Sequence, residues 1–354
     1  MFVFPGQGSQ WIGMGAELLD TSPVFAGSIA RCQEALAPHI DWSLTDALRG
    51  TLDLGRVDVV QPTLFAVMVA LAELWQSLGI HPAAVIGHSQ GEIAAATIAG
   101  ALTLEDGARI AALRSRAILA ISGHGGMASI PLGHHDTVEL LTAWDGRLSI
   151  AAHNGPTTTV IAGDHDALDQ LLTHCDETGI RARRIDVDYA SHTHHVETIR
   201  QHLATELAGI TPTEATIPFY STVTGERIDT THLNADYWYT NLRQPVLLTD
   251  ALRSALTDGH TTYLEISPHP VLTPAIEETL DTTTPTLITG TLRRNEGTWT
   301  RLLTSAAHLH THGHPIDWTP YLTPGTHPDL PTYPFQHEHY WLDPAPDISD
   351  PGHL

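Results

Sequence analysis

Val85-Ile86-Gly87-His88-Ser89-Gln90-Gly91-Glu92 carries a G-x-S-x-G pattern in a setting that gives it meaning. Ahead of it, Ala83-Ala84-Val85-Ile86 is a short apolar run that predicts a buried strand. Behind it, Ile93-Ala94-Ala95-Ala96-Thr97-Ile98-Ala99 is small and apolar and predicts a helix packed close to its neighbours. Strand, sharp turn and helix form the context of a nucleophile elbow. Gly87 and Gly91 lack Cβ atoms, so strand and helix can approach around the turn. An oxyanion forming beside Ser89 would meet orphan amides and the positive end of the helix dipole. The five-residue pattern alone arises by chance in a chain rich in Gly, Ser and Ala; its surroundings select Ser89 as the candidate nucleophile.

Working outward, Phe2-Val3-Phe4 predicts a strand, and Pro5-Gly6-Gln7-Gly8-Ser9-Gln10 a Gly-rich loop feeding a helix near Trp11. The loop lacks the G-x-x-x-x-G-K-[ST] phosphate pattern, so it reads as a donor of backbone N–H to a neighbouring oxyanion. Pro62 in front and Gly79 behind predict a helix over 64–78, and His81-Pro82 turns the chain into the elbow strand. The helix starting at Thr103 puts Ala108, Ala111, Ala112 and Ile118 on one face, with Arg114 and Arg116 at other angles. From Met127 the pattern becomes strand 127–132, helix 136–144, strands 148–152 and 157–162, helix 166–177 and strand 181–187. That order is ferredoxin-like. A helix over 195–207, a strand over 218–224, a helix over 246–257, a strand over 261–266 and a last helix beyond Arg294 complete the reading. The fold expected is therefore α/β: an α/β-hydrolase-like larger unit (1–125 and 189–292), an inserted ferredoxin-like subdomain (126–188) and a linker tail (293–354).

Composition narrows the function. The chain has 354 residues, 42% of them hydrophobic, enough for a sizeable core. Its formal net charge of −23 argues against nucleic acid as a partner. The longest apolar run, 64–72, is too short to span a bilayer, and no leader pattern opens the sequence, so a cytoplasmic setting without membrane contact is expected. Two cysteines, Cys32 and Cys175, give no disulfide framework and fit a reducing compartment. All 17 basic residues are arginine. The alternating His308, His310, His312 and His314 have no carboxylate or cysteine partner in the pattern, and no metal is expected there.

A nucleophilic serine needs a base, usually histidine, and the chain has 24 of them. His192 stands where the inserted subdomain returns to the larger unit, the place where a cleft between subdomains forms. Asp186 and Asp188 lie nearby at a strand's end, and nothing in the pattern designates a third, acidic member.

Four motifs together carry a family resemblance. Phe2-Val3-Phe4-Pro5-Gly6-Gln7-Gly8-Ser9-Gln10, Gly87-His88-Ser89-Gln90-Gly91-Glu92, Leu113-Arg114-Ser115-Arg116 and Tyr189-Ala190-Ser191-His192 resemble the acyltransferase domains of modular (type I) polyketide synthases. These are relatives of malonyl-CoA:acyl carrier protein transacylases. Residues 329–336 and Tyr340-Trp341-Leu342 resemble the linker that follows such a domain. The resemblance implies that Ser89 attacks the thioester of an extender unit on coenzyme A and becomes acylated. His192 then serves as base and acid, and the acyl group passes to the phosphopantetheine thiol of an acyl carrier protein. It further implies an oxyanion hole from the amides of Gln7 and Gln90, worth on the order of 10²–10³ in rate per donor. Arg114, 25 residues after Ser89, matches the arginine that holds the free carboxylate of a malonyl-type substrate. A guanidinium offers the planar fork that suits a carboxylate. In the fatty-acid relatives a polar side chain follows the Pro-Val of a segment resembling Gln244-Pro245-Val246. Leu247 stands there in this chain, which leaves a backbone carbonyl to orient His192.

Arg56-Val57-Asp58-Val59-Val60-Gln61, Gln90, and Tyr189 with Ser191 resemble the methylmalonyl-selecting members, whereas malonyl-selecting ones carry His-Ala-Phe-His at the last segment. Ser191 leaves room where a phenyl ring would crowd a 2-methyl group. One methyl is worth about 1–3 kcal/mol, so malonyl- or ethylmalonyl-CoA remain alternative substrates. Two other classes stay open: an acyl hydrolase on the same scaffold, told apart by transfer to water, and a non-catalytic docking module built on the tail. No permanently bound cofactor is expected. The partners implied are methylmalonyl-CoA, an acyl carrier protein, and adjacent synthase domains on the ketosynthase side. A carrier is usually acidic, so Arg293 and Arg294, or Arg181, Arg183 and Arg184, are candidate docking groups.

Overall fold

Phe2–Phe4 and Val85–Gly87 are three-residue strands with every side chain buried, and they lie side by side in parallel at the centre of the larger sheet. The computed structural model describes residues 1–280, 284–319 and 322. The larger sheet runs Leu287–Gly290, Thr262–Glu265, Phe2–Phe4, Val85–Gly87, Phe219–Ser221, Glu226–Arg227. Its first five strands are mutually parallel, and the last folds back as an antiparallel edge. Such a sheet must be covered on both faces, which explains the fully apolar central strands. Ligands of open parallel sheets bind at the carboxyl ends of the strands, and the elbow leaves the carboxyl end of Val85–Gly87.

The elbow depends on two close approaches. A Cβ on Gly91 would lie 2.1 Å from the Phe4 carbonyl oxygen, and one on Gly87 would lie 2.3 Å from the Glu92 backbone. Neither backbone can move without breaking the central strand pair. Gly91→Ala is therefore expected to lower the thermal unfolding midpoint through an overpacking cost of about 3 kcal/mol or more. A midpoint equal to that of the parent protein would show that strand and helix are not in this contact.

Between the central strands run helices whose apolar faces close the core. Val57–Ser77 is buried along nearly its whole length, from Val57 to Trp75. It starts well before the position that Pro62 suggests, and the proline sits inside it. Burial of Val57, Val59, Val60 and Gln61 outweighs the local helix-breaking signal. This helix of 21 residues is long and apolar enough to cross a bilayer by length and composition, yet 89% of its most apolar window is buried inside the domain. Leu104–Ile118 is capped by Thr103 and buries Arg114 along with its apolar residues, leaving Arg116 exposed.

The second sheet runs Arg183–Ile185, Gly125–Ile130, Thr158–Asp164, Leu148–Gly155, Val246–Leu247. Its first four strands are antiparallel, with helices His134–Leu141 and His165–Thr178 between them in the chain, and they enclose a separate small core. The fifth strand corrects the sequence reading, which ran one helix over 246–257. Val246–Leu247 instead pairs in parallel with Ala152 and His153, and the helix begins at Leu248. Pro245 ahead of Val246 favours extended backbone there. Helices Ala235–Arg243 and Thr273–Thr279 and strand Leu287–Gly290 have no counterpart in that reading.

Glu265, fully buried at the end of its strand, accepts hydrogen bonds from the N–H groups of Val271, Leu272 and Thr273. It thereby fixes the loop that carries Val271 and Leu272 to the site. Residues Met1–Asp317 form one compact unit. Within it, helix Trp299–Thr311 buries Leu302, Ala306 and Leu309, so residues 293–317, the first part of the expected tail, pack within this unit. A second unit begins at Trp318, and the motifs at 329–336 and 340–342 lie outside the described residues.

Candidate active site

Ser89 has φ 54° and His192 φ 62°. Only four non-glycine residues among those described adopt positive φ, and these two are the candidate nucleophile and base. Such backbone persists only where the surroundings enforce it, which is characteristic of reacting groups. At Ser89 the enforcement comes from the elbow. At His192 it comes in part from a hydrogen bond of the His192 N–H to the Leu242 carbonyl, 2.8 Å.

The two side chains meet: Ser89 Oγ lies 3.0 Å from His192 Nε2. His192 Nδ1 lies 2.7 Å from the Gln244 backbone carbonyl oxygen. That oxygen can only accept, so Nδ1 carries the proton and Nε2 presents its lone pair to the serine. A main-chain carbonyl thus orients the histidine. Asp188 instead accepts a hydrogen bond from Ser122, and Asp186 lines the cavity wall. Burial, and then the nearby Arg114 guanidinium, push His192 down to about 3.

Arg114 is 1% exposed, an extreme position for a cation. It donates from Nη1 to Gln61 Oε1 at 3.2 Å and from Nη2 to Asn241 Oδ1 at 3.0 Å. Its Nη2 also lies 3.5 Å from Ser89 Oγ, and its Nε has no partner. Burial lowers its pKa to about 10, which leaves it charged at neutral pH. Both of its firm acceptors are neutral amides, so its charge has no directly bonded anion.

Gln61 and Tyr189 converge on Gln7: Tyr189 Oη donates to Gln7 Oε1 at 2.9 Å, and Gln61 Nε2 donates to the same oxygen at 3.4 Å. Burial raises the Tyr189 phenol to about 12, so it stays a donor. This clamp sets the loop bearing Gln7 against the helix bearing Gln61. The backbone N–H groups of Gln7 and Gln90 donate to no group among the described residues. Gln90 Nε2 is a buried donor without an acceptor.

Gln7, Gln61, Ser89, Gln90, Tyr189, Ser191 and His192 all line one cavity of about 460 Å³ between the two sheets' loops, with Arg114 directly behind Ser89. A larger depression of about 650 Å³ along Pro274, Glu277 and Leu287 is open and holds neither a nucleophile nor a histidine in its described lining. Chemistry, not size, selects the smaller one. Away from it, Asp164, His194 and His195 bring metal-ligating atoms within 4.8 Å of one another. Asp164 is already engaged there by Arg147 and His195.

A nucleophile and a neutral base in one cavity, with a buried cation behind the nucleophile, suit group transfer to or from a substrate bearing an anion. The sequence profile of the acyl transferase domain matches residues 1–315. The chain belongs to the acyl transferase domain family. It is 53% identical over 346 residues to polyketide synthase GfsB of Streptomyces halstedii, an alignment covering 96% of the chain and 6% of that protein. Erythronolide synthase EryA3 of Saccharopolyspora erythraea is 52% identical over 345 residues, covering 96% of the chain and 11% of the relative. The chain thus spans only a small part of the length of these curated relatives. The acyltransferase domain from module 8 of the salinomycin polyketide synthase superposes with a TM-score of 0.87 at 55% identity, over 90% of this chain and 76% of that one. This is an acyltransferase domain of the modular polyketide synthase type.

The acyltransferase also holds groups that its sequence does not advertise. Glu92, quoted in the elbow motif but given no part there, is fully buried beneath it. It binds Thr222, Tyr237 and Asn241, which lie 130, 145 and 149 residues away in the chain. The Gln244 carbonyl is invisible to side-chain patterns altogether. Of the candidate docking arginines, Arg294 lines the active cavity, while Arg184 pairs with Asp169.

Proposed function

We propose that this acyltransferase moves an extender-unit acyl group, methylmalonyl first among candidates, from coenzyme A to the phosphopantetheine thiol of an acyl carrier protein. The observation that carries the reading is the chain Arg114–Ser89–His192–Gln244, with the cation and the base both at the serine oxygen. In the first half-reaction His192 Nε2 takes the Ser89 proton as Oγ attacks the thioester carbon. The developing oxyanion faces the unpaired N–H groups of Gln7 and Gln90. On collapse the carbon–sulfur bond breaks, and His192 returns its proton to the departing thiol. In the second half-reaction His192 takes the proton of the incoming phosphopantetheine thiol, which attacks the Ser89 ester and releases the serine with that proton. Throughout, Arg114 holds the distal carboxylate of the acyl group, which fixes the near end at the serine.

The 2-methyl group fits the wall at Ser191, a small residue whose hydroxyl rests 3.6 Å from the Met127 sulfur. Ser191→Phe fills that space and is expected to shift the methylmalonyl-to-malonyl loading ratio toward malonyl by about 10- to 200-fold, the range one methyl can command. Arg294 at the cavity rim suits the acidic carrier or the phosphate on its arm. The deciding experiment is intact-mass spectrometry after brief exposure to an equimolar mixture of acyl-CoAs. Methylmalonyl mass on the protein, discharged faster by carrier protein than by water, is the expected result. Loading of neutral acyl groups in preference would overturn the substrate reading, and discharge to water alone would make the domain a hydrolase.

A further inference from the structure

Asn241 stands at the junction of the nucleophile, the cation and a buried carboxylate. It is 2% exposed, on helix Ala235–Arg243. Its Oδ1 accepts from Arg114 Nη2 at 3.0 Å. Its Nδ2 donates to the Ser89 backbone carbonyl at 3.1 Å and to Glu92 Oε2 at 3.0 Å. One planar amide therefore touches the strained residue that carries the reacting oxygen and the guanidinium that faces it.

Glu92 makes that amide immovable. Its Oε1 accepts the Thr222 N–H at 2.5 Å and the Thr222 hydroxyl at 2.8 Å, and its Oε2 accepts the Tyr237 hydroxyl at 2.7 Å besides the amide. The Thr222 hydroxyl also lies 2.8 Å from the Gly87 carbonyl oxygen and has one proton to share, which leaves the Thr222 N–H, the Tyr237 hydroxyl and Asn241 Nδ2 as the three firm donors to this carboxyl group. With Nδ2 bound to a carboxylate, the amide cannot flip, and Oδ1 must face the guanidinium. Glu92 is also a buried acid whose charge acts on Arg114, a cation whose bonded acceptors are both neutral.

We propose that Asn241, anchored by Glu92, is a positioning residue that sets the Arg114 guanidinium and the Ser89 backbone in one register. The distal carboxylate of an acyl donor and the attacking oxygen are then held a fixed distance apart. This rests on Arg114 being the carboxylate-binding group. It assigns Asn241 two separable tasks: aiming the cation through Oδ1, and tethering the elbow through Nδ2. Neither involves contact with substrate.

The test compares single-turnover loading of a dicarboxylic acyl-CoA (methylmalonyl) and a neutral one (propionyl) on the parent, Asn241→Leu and Asn241→Asp, with unfolding midpoints alongside. Asn241→Leu keeps the volume and removes all three hydrogen bonds. The expected result is a loss of about tenfold or more in the methylmalonyl-over-propionyl ratio, since a hydrogen bond to a charged group is lost. A purely structural role would lower both rates together and leave the ratio alone. Asn241→Asp keeps the acceptor toward Arg114 and replaces the donor, so it should retain the ratio while slowing both donors. Its new carboxyl lies against Glu92, and two such groups share one proton. Loading by this variant should therefore fall as pH rises and that proton is lost. An unchanged ratio in Asn241→Leu, or a pH-independent Asn241→Asp, overturns the inference. A parent that loads both donors equally overturns the role of Arg114 itself, and the inference with it.

Discussion

Ser89→Ala is expected to take up no acyl group: its intact mass after exposure to methylmalonyl-CoA should stay that of the unmodified chain, where the parent should gain one acyl unit. Transfer to carrier protein falls on the order of 10⁴-fold or more, the scale seen when a nucleophile–base pair loses a member. His192→Ala has an effect of similar size, and the double variant is no worse than either, because the two act as a unit. The pH dependence adds a sharper check on the geometry. Burial and the Arg114 charge hold His192 down at about 3, so it is protonated only at pH values below the ordinary imidazole range. The base form is already complete as pH falls through 6.5. Single-turnover acylation by the free enzyme should accordingly show no acid limb there, and its decline should begin at lower pH. A limb near 6.5 would mean that His192 is solvated or that the Arg114 charge is already compensated before substrate arrives. Either finding would contradict the burial of His192 beside an uncompensated Arg114.

What could be read from the chain and what could not follow from the range of each interaction. The elbow was legible because its determinants are local: glycines on either side of Ser89, an apolar strand before and a small-residue helix after. The strand–helix–strand–strand–helix–strand order of the small sheet was equally plain, since each element satisfies its own periodicity. Val246–Leu247 escaped because two residues have no period, and their pairing with Ala152 and His153 is set by tertiary contact. Pro62 misled for the opposite reason: a strong local signal yields to the burial of a whole helix turn. Among 24 histidines nothing local distinguishes His192, whose defining contacts run to the main chain at Leu242 and Gln244. Its place at the return of the inserted subdomain made it attractive, and family resemblance selected it. Arg114 was placed off the apolar face of its helix, yet it is buried, because the neighbouring elements bring Gln61 and Asn241 to meet it. Glu92 and Asn241 were legible in no local sense, as each acts only through partners far along the chain.

Arg114→Leu is the second change with a large effect, and it acts in opposite directions on activity and stability. Loading of methylmalonyl-CoA should fall by about 100-fold or more, since the variant loses a desolvated charge pair with the substrate carboxylate. Propionyl-CoA should load about as well as before, which converts the domain into an acyltransferase for neutral chains. The unfolding midpoint should hold or rise, because a buried cation with only neutral acceptors is replaced by an apolar side chain of smaller desolvation cost. A third readout ties the arginine to the base. The guanidinium lowers the His192 pKa, so its removal lets that value rise, and the acid limb of acylation should move toward higher pH. In the parent, a bound carboxylate does part of the same thing by offsetting the Arg114 charge while His192 becomes an imidazolium in the transition state. A dicarboxylic donor then gains twice from one arginine, once in position and once in the basicity of His192. The two gains separate experimentally: Arg114→Leu with propionyl-CoA lacks the positioning gain but keeps the raised base, and its loading rate at low pH should fall below that of the parent by the factor the shift sets.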